Sequence, residues 1–169
     1  MENSVLLIGY GNPGRQDDGL GPALAEAVEG LHLHGVTVEA DYQLTVEDAA
    51  SAAAHRYVVF ADAAMGGPGP FFFRAVPPAS PGSISTHSVE PGAVMALARD
   101  LFGAESRGYA LGVRGYRFHE FGEALSEEAR ANLAAALRFI VPVLQERTFD
   151  MAAGVAEGND SPAQVRTHP

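Results

Sequence analysis

Three residues stand where a parallel α/β sheet gathers its chemistry. Asp18 follows an apolar run that begins at Val5, Asp62 closes the run VVFAD, and His87 lies in STHSVEP ahead of a helical segment. In an open sheet, ligands bind in the crevice beyond the carboxyl ends of the strands, so residues just after strands are the first candidates. Two carboxylates and one imidazole form an O, O, N donor set. Such a set suits a borderline divalent ion such as Ni²⁺, Zn²⁺ or Mn²⁺, with positions left open for another ligand. Each residue also has a structural alternative: a helix cap for Asp18, a turn residue for Asp62, a hydrogen-bonding imidazole for His87.

A competing signal overlaps the first of them. In LLIGYGNPGRQDDGLG, Gly9, Gly11 and Gly14 fit the G-x-G-x-x-G spacing of a dinucleotide-binding turn. A true fingerprint places its third glycine in the first turn of a helix whose amides face a pyrophosphate. Here two more glycines and Pro22 follow, so the helix is expected to begin near Gly19 to Pro22, after a long loop from Asn12 to Asp18. Asp17 and Asp18 would repel a diphosphate, since two unit charges 4 Å apart at an effective dielectric of 20 repel by about 4 kcal/mol. Glu39 or Asp41 at the end of the second strand imitates the ribose-binding acid, which keeps a nucleotide-binding oxidoreductase or regulator as the second reading.

Other groups offer less. Asp17 beside Asp18 has the parts of an acid/base dyad, but neighbours on a loop point apart, and a solvated turn is the expectation for Asp17. Ser85, Ser88 and His87 lack a G-x-S-x-G elbow, and capping accounts for Ser88. His32 and His34 read as surface residues, and the run Phe71–Phe72–Phe73 reads as a strand serving core or interface.

The supports of these residues begin with Val5 to Gly9 and Tyr57 to Ala61, unbroken apolar runs as expected of strands buried on both faces. Val36 to Ala40 alternates, and Phe71 to Val76 and Tyr109 to Val113 complete five strands. Between them the spacing predicts helices over Leu20 to Val28, Thr45 to Ala54 and Ser88 to about Phe102. A longer one opens at Ser126 and contains Pro142. Alternating strands and helices predict a three-layer α/β/α sandwich around a five-stranded, mostly parallel twisted sheet over residues 1–149. Residues 150–169 have no apolar periodicity and read as a disordered tail.

Composition removes several chemistries. With 169 residues, the chain suffices for one core. It has no cysteine and no lysine, so all eleven of its basic side chains are arginine. Thiolate nucleophiles, disulfides, a Walker lysine and a Schiff base are therefore absent. A net charge of −10 disfavours nucleic acid. The N-terminal run carries no basic flank, and no apolar stretch is long enough for a membrane span, so a cytoplasmic protein is expected.

Five segments in order, GYGNPGRQDDGLG, DYQLTVEDA, VVFADA, THSVEP and GVRGYRF, together resemble the hydrogenase maturation endopeptidases of nickel-iron hydrogenases over about residues 4 to 147. The resemblance implies a protease that removes a C-terminal extension from the hydrogenase large-subunit precursor after nickel insertion. It assigns Asp18, Asp62 and His87 to the three metal-contacting positions, with the nickel supplied by the precursor. Some relatives carry glutamate at the position of Asp18, so the metal geometry here differs by a methylene. A loop built from Gly9, Gly11, Asn12, Asp17 and Gly19 would approach the substrate backbone, and the protein is expected to act as a monomer. A non-catalytic nickel-sensing chaperone of the precursor is the third reading.

Overall fold

Val5–Tyr10 is apolar without alternation because layers cover both of its faces, and in the computed structural model Val5 to Ile8 are at most 1% exposed. The structure describes residues 3–79 and 89–160, with side chains described through residue 154. This strand, β1, leads through a single 3-10 turn, Gln16–Gly19, into helix α1, Leu20–Glu29. Strand β2, Val36–Asp41, helix α2, Asp48–Ala53, and strands β3, Tyr57–Ala64, and β4, Phe71–Val76, follow. Helix α3, Pro91–Phe102, strand β5, Arg107–Arg114, and helices α4, Glu127–Glu146, and α5, Phe149–Asp160, complete the chain.

The five strands lie in the order β2-β1-β3-β5-β4, parallel except for β4, which runs antiparallel to β5. Strand periodicity divides the core into two layers. Val5, Leu7, Val59, Phe73, Tyr109 and Leu111 face α1, α4 and α5, whereas Leu6, Ile8, Val58 and Phe60 face α2 and α3. The expected three-layer sandwich with a mostly parallel five-stranded sheet is the architecture observed. No helix among the described residues is long and apolar enough to cross a membrane.

Local chemistry sets the helix ends. Ser126 caps α4 by accepting from the Ala129 N–H at 3.2 Å. Asp48 accepts from the Thr45 N–H at 2.7 Å, the reciprocal arm of a capping box made with a shorter acid. Pro91 occupies the first turn of α3, and Gly103 ends it in the left-handed conformation at φ 64°.

One expectation fails. The segment from Asp150 onward is not a tail at its start, because it forms α5 through Asp160. Its buried face, Phe149, Ala152 and Ala153, holds one large side chain and two alanines, too weak an apolar signal among small and polar neighbours. Phe149 is 1% exposed and stacks on Tyr57 at 4.6 Å and on Tyr109 at 5.2 Å. Asp150 accepts from the Tyr109 hydroxyl and the Arg107 guanidinium. Residues 161–169 of the expected tail lie outside the described residues.

Candidate functional site

The sheet order creates a switch point between β1 and β3, whose onward connections leave toward opposite sides of the sheet. The crevice this opens at the carboxyl ends is where ligands of such sheets bind. Asp18 reaches it from the 3-10 turn after β1 and Asp62 from near the end of β3.

The turn is built by close backbone contact. A Cβ on Gly9 would meet the Gly21 carbonyl at 2.2 Å, and one on Gly21 would meet that of Tyr10 at 2.3 Å, so α1 begins directly against β1. Gly11 has φ +143° and faces the Asp18 carbonyl, and Gly19 packs on Pro13. Gly9, Gly11 and Gly19 are buried, so they shape the loop and do not present a surface to a substrate. Asn12 closes an Asx turn on the Gly14 N–H at 2.9 Å, and its own N–H donates to Asp18 Oδ2 at 2.9 Å. The helix starts at Leu20, so Gly14 does not lie in its first turn, as the dinucleotide fingerprint requires.

Asp17 corrects the sequence reading. It is 0% exposed, neither a solvated turn residue nor part of a substrate surface. Its carboxylate accepts from the N–H groups of Tyr116, Arg117 and Ser126 at 2.7 to 2.9 Å and from the Ser126 hydroxyl at 2.7 Å. Burial pushes its pKa up, but the hydrogen bonds from Ser126, Tyr116 and Arg117 outweigh burial and hold it below the ordinary carboxyl range. Asp17 thereby ties the β5–α4 loop to the β1–α1 loop. Gln16 N–H to Gly122 O at 2.7 Å and Gly122 N–H to Gly14 O at 2.8 Å complete the tie. Asp17 and Asp18 point apart, as expected of loop neighbours, but the inward one is structural.

Asp62 has the opposite surroundings. It accepts from the Ala63 N–H at 2.8 Å and from the Tyr10 hydroxyl. Burial raises its pKa to about 7, with the charges of Asp18 and Glu90 adding to the rise against those two hydrogen bonds. The Tyr10 hydroxyl is also pushed up, by burial and by the charges of Asp62 and Glu90. Neither Tyr10 nor Glu90 carries a site signal in the sequence: Glu90 reads as an acid of a helix's first turn and stands just before α3, and Tyr10 offers only its place after Gly9. Asp62 and Glu90 line one end of a cleft of about 430 Å³ that runs past Phe60, Phe72 and Gly112 to Arg74, and the charge of Asp18 acts on Asp62 from the turn beside it.

His87 lies outside the described residues. Among the described residues, no three His, Cys, Asp or Glu side chains converge as a metal site. His32, His34 and His119 are exposed, as read for the first two. Phe71 and Phe73 turn toward the core while Phe72 faces the cleft, so the triple phenylalanine serves both.

An arrangement of this kind, with a buried acid titrating near neutrality and two more carboxylates near it, favours a cation and can take up or release one proton. No family model matches the chain, and no curated protein matches it. Among solved structures, the chain is similar to a NiFe hydrogenase maturation protease, HycI, from Thermococcus kodakarensis. They are 22% identical with a TM-score of 0.67, covering 85% of this chain and 93% of that one. The hydrogenase maturating endopeptidase HybD from E. coli is 21% identical with a TM-score of 0.65, covering 85% and 93%. An uncharacterized protein from Wolinella succinogenes is 26% identical with a TM-score of 0.56, covering 83% and 95%. The chain therefore has the α/β sandwich fold found in hydrogenase maturation proteases.

Proposed function

We propose that this protein is an endopeptidase of the hydrogenase maturation family, removing a C-terminal extension from the large-subunit precursor of a nickel-iron hydrogenase. The observation that carries the reading is Asp62: a carboxyl poised near pH 7 beside Asp18 and Glu90, at the switch point of a fold shared with maturation proteases. The activity named for those proteins is consistent with what this cleft is suited to do. Ionised Asp62 takes a proton from a water attacking the scissile carbonyl and returns it to the departing amine. Tyr10 orients Asp62 through its hydroxyl.

Nickel belongs to the substrate in this proposal. A precursor that carries Ni²⁺ brings positive charge to a site whose carboxylates form no ion pair among the described residues, so Asp18 and Asp62, with His87 as the third position, recognise the loaded precursor over the empty one. The protein needs no nucleotide. We place it in the cytoplasm as a monomer whose partner is the precursor.

Mass spectrometry of the cognate precursor, prepared with and without inserted nickel, tests this directly. The expected result is loss of a C-terminal peptide from the nickel-loaded sample alone. Binding without cleavage of a properly loaded precursor overturns the peptidase and leaves a nickel-sensing chaperone.

A further inference from the structure

The far end of the cleft has a charge that the chemistry at Asp62 does not use. Asp62 pairs in register with Gly112, Gly112 with Phe72, and Ala110 with Arg74, so one sheet face carries a path from β3 across β5 to the edge strand β4. A Cβ on Gly112 would meet the Phe72 ring at 2.2 Å, so the ring lies flat where only glycine leaves room. The Arg74 guanidinium stacks on that ring at 4.6 Å. The ring and the guanidinium thus brace each other, which lowers the entropic cost of holding the cation in place. Arg74 is exposed to the cleft, and among the described residues no carboxylate lies within ion-pair distance of it. In a chain of net charge −10, a braced cation without a carboxylate partner, lining the same cleft as Asp62 and Glu90, gives that cleft opposite poles.

We infer that Arg74 is a specificity-determining residue that binds a carboxylate of the peptide extension, while the scissile bond lies at Asp62. Phe72, Phe60, Ala110 and Gly112 form the apolar floor between the poles. Two strand spacings of ~4.8 Å and two residues along a strand separate Asp62 from Arg74 by about 12 Å, or about three to four residues of extended peptide. The occupant is the extension, because a chain whose scissile bond lies at Asp62 continues along the same sheet face, past Gly112 and Phe72, to the opposite charge at Arg74. The carboxylate is an acidic side chain about three or four positions beyond the scissile bond, or the terminal carboxylate of a short extension. This inference rests on the proposed peptidase activity and adds a requirement on its substrate.

Cleavage kinetics on the nickel-loaded cognate precursor test it, with Arg74→Met, Arg74→Lys and Arg74→Glu compared with the wild type and thermal melts confirming equal folding. Arg74→Met is expected to raise KM by about tenfold with kcat within twofold, the size of one charge-assisted contact. Arg74→Lys recovers part of the loss. Neutralising the matching acidic residue of the extension costs the wild type the same factor and costs Arg74→Met nothing further. Arg74→Glu recovers a precursor that carries lysine at that position. Lengthening the extension by a glycine-serine tail removes the dependence on Arg74 only if the chain terminus is the ligand. Equal KM for Arg74→Met and wild type overturns the inference while leaving the peptidase intact, as does independence of the two substitutions. A wild type that cleaves nothing instead overturns the peptidase reading.

Discussion

Asp17, fully buried in the turn after β1, and Asp62, half-buried near the end of β3, are two carboxylates driven in opposite directions. Asp17 is buried deeper, yet four donors from Tyr116, Arg117 and Ser126 hold it ionised below the ordinary range. Asp62 receives two donors and feels two like charges, and its pKa rises to about 7. Burial alone therefore does not decide protonation; the balance of donors against desolvation and neighbouring charge does. The chain uses a fully satisfied carboxylate to fix a loop and a partly satisfied one to keep a proton exchangeable.

Removing the exchangeable group should separate the two roles most sharply. Asp62→Asn is expected to lower precursor processing by at least about a thousandfold, a range consistent with losing a general base together with a cation contact. Circular dichroism and thermal melting should show the variant folded. Retained processing would break the comparison by showing that Asp62 is only a buried acid. Asp17→Ala should do the reverse, costing about 3–5 kcal/mol of stability because three backbone N–H groups and a hydroxyl lose their acceptor. Urea denaturation measures it, and a loss below about 1 kcal/mol would mean that the β5–α4 loop does not depend on this tie.

How much of this contrast was legible in the sequence depends on the range of the interactions. The strands and most helices were readable because burial on two faces leaves unbroken apolar runs, and because Ser126, Thr45 and Pro91 are local signals. The place of Asp62 at the end of VVFAD was readable from the strand itself. The role of Asp17 was not, since its donors stand 99 to 109 residues away and no spacing rule links DD to SEEAR. Glu90 and Tyr10 were hidden for the same reason, the fold alone placing them beside Asp62. Helix α5 was missed because its buried face is one phenylalanine and two alanines, Phe149, Ala152 and Ala153, and its polar anchor, Asp150, bonds to Tyr109, 41 residues away.

Acidity offers a third way to test the contrast, with opposite signs at the two residues. Asp62 has a folded pKa above its unfolded value of 3.8, so its contribution to stability is fully present below about pH 4 and is lost as pH rises toward 7. A part-open cleft reduces the full linkage energy, and about 2 kcal/mol is the expected gain of Asp62→Asn over wild type at pH 8, vanishing near pH 4. Thermal melts from pH 4 to 8 measure that gain, and a constant difference would mean that Asp62 titrates normally. Asp17 is depressed, so its contribution is present above pH 4 and is lost as the pH falls below that.

The smallest expected effect refines the same point within the Asp17 cluster. Ser126 is both a donor to Asp17 and the cap of α4, its hydroxyl joining the Asp17 carboxylate to the Ala129 N–H. Ser126→Ala removes one of four donors and the cap acceptor but leaves the three backbone N–H groups on Asp17. About 1–2 kcal/mol of stability should be lost, well under the cost of Asp17→Ala. The double variant should cost less than the sum of the two, because both substitutions remove the same hydroxyl–carboxylate bond. Strict additivity would show that the cap and the loop tie are energetically separate, and that the serine serves the helix alone.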